Sequence, residues 1–166
     1  MYGDGLHIFG AEVAPKAIDT AAADFADYDL AFPISILAVG VAVVTDFGDA
    51  VTAGLIASVD YKIKGGARTE LLTIPVDAAS IKRGDGSRAG QTAIANYTDL
   101  DDGDVVLYKT TALPFKLPAG ATLYLEHKVA ATGGTPAGTY NLIVLARIEG
   151  FDTQSANILV PAEPAP

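Results

Sequence analysis

Cysteine and tryptophan are absent from this chain, methionine occurs once, and histidine only twice. Without cysteine there is no disulfide, no thiolate nucleophile and no thiolate zinc site. Without tryptophan, the aromatic platform of a sugar-binding module would have to come from tyrosine. Basic residues are scarce: 11 Lys and Arg stand against 20 Asp and Glu, for a net charge of -9 and a pI near 4.4. The only small basic group is Lys82, Arg83 and Arg88, so the sequence argues against a nucleic-acid partner, which needs clustered cations. Long apolar runs are missing too. The longest, Ile34 to Val44, falls well short of the roughly 20 residues that span a bilayer, and no membrane is expected. Met1 to Phe9 has neither a basic n-region nor an apolar h-region, so no signal peptide is expected.

What is present is a β pattern. Half of the 166 residues are hydrophobic, enough for one core without cross-links. The clearest stretch is Ala121 to Ile148. Leu123, Leu125 and Val129 alternate with Thr122, Tyr124, Glu126 and Lys128, which predicts a strand with one apolar face. Ala131 to Gly138 is a run of small residues that predicts a loop, and the two flanking strands read as a hairpin. In the returning strand Tyr140, Leu142, Val144 and Ile148 share one face and Ile143 and Leu145 the other, the mark of a central strand.

The same reading gives a strand over Ile34–Val44, apolar on both faces, and a half-buried strand over Val51–Ile63 with Thr52, Ser58, Asp60 and Lys62 on a solvated face. Further strands are predicted over Ala67–Ile74, weakly over Gln91–Asn96, over Val105–Thr110, and near Asn157–Val160. Leu113–Pro118 is extended, with Phe115 and Leu117 inward. Val76–Ile81 allows one helical turn. Gly40 and Gly54 inside strands suggest bulges or close backbone approach. Turn signals about every ten residues point to an all-β, jelly-roll-like antiparallel sandwich. Residues 1–29 read differently: an extended arm that wraps the body or a neighbour, or a disordered leader, with a short helix allowed from about Lys16 to Phe25. The layout is thus an arm over 1–29, a sandwich over 30–160 and a Pro-rich tail over 161–166. Removing Met1 to Phe25 should then leave the sandwich folded.

No motif singles out a catalytic, cofactor or metal site, and no enzyme is expected. Arg83-Gly84-Asp85 spells an integrin-ligand tripeptide, but an ordinary turn explains it as well. Asp99, Asp101, Asp102 and Asp104 surround Gly103. They offer oxygen ligands to calcium or simply an acidic turn, and the EF-hand order fails because Thr110 stands where a bidentate Glu belongs. His127 sits on an apolar face beside Glu126 and Lys128 and reads as a packed or interface residue; His7 is the other histidine. No G-x-S-x-G elbow is present. Tyr61, Tyr108, Tyr124 and Tyr140 are strand residues that could serve a sugar platform if exposed.

Lys116-Leu-Pro-Ala-Gly-Ala-Thr-Leu-Tyr-Leu, followed by Gly-Gly-Thr-Pro-Ala-Gly-Thr-Tyr-Asn-Leu-Ile-Val-Leu-Ala-Arg147, resembles the capsid decoration, or cement, proteins of tailed bacteriophages. The resemblance is one of style over most of the chain, from Met1 to Val160, and carries no invariant motif, so no residue role is transferred. It implies a jelly-roll sandwich, often a homotrimer, made in the host cytoplasm and seated on the outside of the virion. The implied partner is the major capsid protein; from the chain itself, the arm Met1 to Asp29 and exposed loops near Arg83 and Thr135 are the expected contact residues. Such a protein should present a flat, apolar face. Phage tail fibres and adhesin modules that bind host glycans share the style and form the alternative.

Overall fold

The computed structural model describes residues 5–45, 56–75, 91–92, 103, 105–110, 112–131 and 138–150. Among them are eleven strands and no helix: β1 (Leu6–Phe9), β2 (Lys16–Ala17), β3 (Ala23–Asp29), β4 (Ile34–Thr45), β5 (Ile56–Lys62), β6 (Thr69–Pro75), β7 (Gln91–Thr92), β8 (Val105–Thr110), β9 (Phe115–Leu117), β10 (Thr122–Val129) and β11 (Thr139–Ile148). They form two antiparallel sheets packed as a sandwich. The first runs β1-β11-β4-β8-β7, with β2 beside β11 and β9 beside β4; the second runs β3-β10-β5-β6.

Leave out the short β2, β7 and β9 and renumber the rest in chain order. The sheets then read 1-8-3-6 and 2-7-4-5. This is the jelly-roll winding, in which the chain keeps crossing between the sheets and both inner faces contribute to one core. That core includes Ile36, Val39 and Val41 of β4, Ala57 and Val59 of β5, Leu123 and Leu125 of β10, and Leu142 and Val144 of β11.

β10 and β11 alternate as their sequence predicts, but they are not a hairpin. They lie in opposite sheets, and β10 is flanked by β3 and β5 while β11 is flanked by β1 and β4. The segment between them is a crossover.

Residues 1–29 read as an extended arm that wraps the body or a neighbour, or as a disordered leader. From Leu6 onward they are part of the sandwich. The segment is extended and wraps the body, and it gives each sheet an edge strand, β1 on one and β3 on the other. No helix forms over Lys16–Phe25. Lys16–Ala17 pairs with β11, and a turn leads to β3. The reason is burial: Phe9, Ile18 and Phe25 all point into the core.

Bulges explain where side chains depart from simple alternation. Leu145 pairs with Ala38 and Ala146 with Ile36, which leaves Leu37 extra. The inward set of β4 therefore switches from Ile34 and Ile36 to Val39, Val41 and Val43. β4 looks apolar on both faces partly because of this slip. Phe25 is the extra residue of β3 and turns inward. A bulge at Lys128 carries Val129, expected beside Leu125, out to solvent. Gly40 makes no bulge; it lies in register between Ile143 and Leu107. Phe115 and Leu117 do point inward, Leu117 fully.

Candidate interaction faces

The two outer faces of the sandwich differ in chemistry. On the first sheet, the register lines up Ile8, Leu145 and Ala38 in one row, Ile143, Gly40 and Leu107 in the next, and Asn141, Ala42 and Val105 in a third. Each row faces away from the core, because the inward residues are the alternate ones. Leu6, Ile8, Val105 and Leu107 are each 40–53% exposed. With strands about 4.8 Å apart, four strands make an apolar strip roughly 15 Å wide. Arg147, opposite Leu6, stands at one corner, and the described outward residues of the strip include no carboxylate. An apolar patch of a few hundred Å² on an otherwise acidic protein is the kind of surface that meets a partner.

The second sheet carries its charge outward. Arg68, just before β6, donates from Nε to Asp60 Oδ2 at 2.7 Å, from Nη2 to Asp24 Oδ1 at 2.9 Å, and from Nη2 to Glu126 Oε2 at 3.0 Å. Its guanidinium also lies 4.3 Å from the centre of the Tyr124 ring. Ser58 donates to Glu126, and Lys128 pairs with Glu70. Lys128 holds the Glu70 carboxyl below its ordinary range, with Thr73 adding to the effect. Ser58 and Asp60 were expected on a solvated face, yet both are buried. Arg68 covers Asp60, and the carboxylates of β3 and β10 hold Arg68 in place. Removing the guanidinium strands a buried carboxylate. Arg68→Ala should cost roughly 2 kcal/mol in chemical denaturation, and Arg68→Lys should recover only part, since an ammonium cannot fork to three carboxylates.

A buried polar contact links the two sheets. His127 of β10 is fully buried, and its Nδ1 is 2.7 Å from the Tyr140 hydroxyl of β11, with Phe25 edge-on to both rings. His127 is thus a packed residue. Burial pushes its pKa down, aided by Lys16; the Thr20 backbone and Asp19 act the other way and do not win. The unfolded chain therefore binds this proton more readily than the folded one. The stability that His127 contributes is complete above about pH 6.5 and is lost as the pH falls below it. The melting temperature should fall as the pH drops below about 6.5, and His127→Gln should flatten that slope.

At one end, His7, Phe9, Asp29, Leu30, Phe32 and Ile34 line an open groove of about 160 Å³, with Phe32 half exposed on its rim. Tyr28 joins the two edge strands there. Its hydroxyl accepts from Gly10 N at 3.0 Å and donates to Glu12 at 2.7 Å; burial, then Glu12, pushes its pKa up to about 12.

Of the residues singled out in the sequence, Arg83-Gly84-Asp85, Thr135 and Asp99, Asp101, Asp102 and Asp104 lie outside the described residues, as do Val76–Ile81, Gly54, Asn157–Val160 and the tail. The tyrosines fall in strands as expected. Tyr140 is buried, Tyr61 and Tyr124 are half-buried, and Tyr108 lies in β8. Sequence reasoning missed Arg68, which has no motif, and the row of outward apolar residues, which becomes contiguous only through the pairing of β1, β11, β4 and β8. Comparison with family models, curated proteins and solved structures gives no match.

Proposed function

We propose that this chain is a viral structural protein that works by binding alone: a capsid decoration protein that seats on the exterior of a phage head and clamps adjacent capsid subunits. The observation that carries this reading is the outward apolar strip over β1, β11, β4 and β8, opposite a sheet whose outer face is ionised. A protein with one sticking face and one solvated face binds in a fixed orientation. The strip alone is smaller than the roughly 800 Å² per partner of a standard interface. Repetition around a symmetric shell, with the chain arranged as a trimer, makes such weak contacts durable. The glycan-binding alternative has less support, because the Arg68 guanidinium already occupies a face of the Tyr124 ring.

The test uses phage heads assembled without the protein. Added protein should saturate them at a stoichiometry fixed by capsid symmetry and raise their resistance to heat. Leu107→Asp, which places a charge in the strip, should weaken this binding by about tenfold or more, the effect of burying an unpaired carboxylate. Retention on a glycan array without head binding would favour the alternative.

A further inference from the structure

Among the described residues the edge of the first sheet at β1 is unguarded, and we propose that it pairs with the β1 strand of a second copy of this chain. The contact is an antiparallel augmentation about a twofold axis. It does not depend on the capsid reading.

The direction of the β1 peptide groups follows from the register. Ile148 N donates to Gly5 O at 2.7 Å, and Leu6 is opposite Arg147. Residues 5, 7 and 9 therefore turn their peptide groups toward β11, and Leu6 and Ile8 turn theirs away, because N–H and C=O alternate sides along a strand. Among the described residues, no strand lies on that side of β1. A bare row of donors and acceptors is a template for another strand, and proteins usually protect it with charge or proline. The edges of the second sheet are protected in this way: β3 carries Asp24, Asp27 and Asp29, and β6 carries Glu70 and ends at Pro75. β1 is Leu-His-Ile-Phe, with neither a carboxylate nor a proline.

The occupant follows from the same residues. A net charge of -9 opposes self-association wherever acids face one another. β1 is a described edge where two copies can approach without opposing carboxylates on the paired strands. An antiparallel β1 pair centred on His7 sets Leu6 opposite Ile8 of the second copy, and the reverse. All the outward peptide groups are then used. Leu6 and Ile8, each about half exposed, pack against their counterparts and join the two apolar strips into one. The contact is short and so weak in isolation.

The pairing leaves a signature. His7 meets its symmetry mate as a non-hydrogen-bonded pair with Cα atoms about 4.5 Å apart, within the span of a disulfide. Because the natural chain has no cysteine, His7→Cys introduces the only thiol. His7 is exposed, so this variant should melt like the parent. In oxidising buffer the full-length His7→Cys protein should form a disulfide dimer at least about tenfold faster than Lys64→Cys, an exposed loop control, because pairing raises the local thiol concentration. Ile8→Pro in the His7→Cys background removes an outward N–H that β11 does not use, and should return the rate to that of the control. If Ile8→Pro lowers the melting temperature, Ile8→Lys takes its place, guarding the edge with charge. Equal rates for His7→Cys and Lys64→Cys would overturn the proposal. So would fast cross-linking that both Ile8 substitutions leave unchanged.

Discussion

A chain lacking residues 1–25 should show no cooperative unfolding transition. The truncation removes β1, β2, the start of β3, and the buried side chains of Phe9, Ile18 and Phe25. Truncating a buried Phe costs about 3–5 kcal/mol and a buried Ile about 2–5, so the three together approach about 10 kcal/mol. That is the size of a whole domain's stability, roughly 5–15 kcal/mol. The loss also bares one edge of β11 and the stretch of β10 at Glu126 and His127 that faced Asp24 and Ala23. Calorimetry and near-UV circular dichroism check this directly. A sharp melt within a few degrees of the parent would mean that the wrapped segment is dispensable, as its composition alone suggests. Phe25→Ala is the milder companion and should cost about 3–5 kcal/mol with the transition intact.

Gly10→Ala should cost roughly 4 kcal/mol, near the exceptional end for point changes. Gly10 has φ +89°, a region that already costs an L-residue about 1–2 kcal/mol. A Cβ there would stand 2.0 Å from the Leu142 carbonyl oxygen and 2.8 Å from Leu125 Cδ1. Leu142 is held in β11 by its pairing with β4, so the carbonyl cannot retreat without opening the ladder. Gly65 supplies the control. Its φ is +81° with open space around it, so Gly65→Ala should show the backbone cost alone, about 1–2 kcal/mol. Denaturant midpoints at equal m separate the two. Similar losses at both positions would show that β1 can move away from β11.

The alternation of Leu123, Leu125 and Tyr140 to Val144 made the strands and the fold class legible, because period two is a property of neighbours in sequence. Pairing is not such a property. Nothing in Ala131–Gly138 distinguishes a hairpin loop from a crossover between sheets, so β10 and β11 read as partners. Bulges are equally silent. Leu37, Phe25 and Lys128 are ordinary residues until a partner strand skips one of them. The N-terminal segment hid its role because its core residues, Phe9, Ile18 and Phe25, follow no period and sit among Ala and Asp. Asp60 looked solvated because its cover, Arg68, is eight residues away across a turn. The apolar strip was half legible: Ile143 and Leu145 announced an outer apolar face, but Ile8 and Leu107 join it only through the register.

The first described strand pairs with the last, and β3 waits for β10. On a ribosome this means that neither sheet can close its first-made edge until nearly all of the described chain has emerged. Leu-His-Ile-Phe and the acidic strand after it must stay apart from other nascent chains for that interval. Distant pairing of this kind folds slowly. The carboxylates spread through β3, which make so poor a helix and so plain a sequence, would hold the unfinished chains away from one another by charge repulsion until their partners arrive.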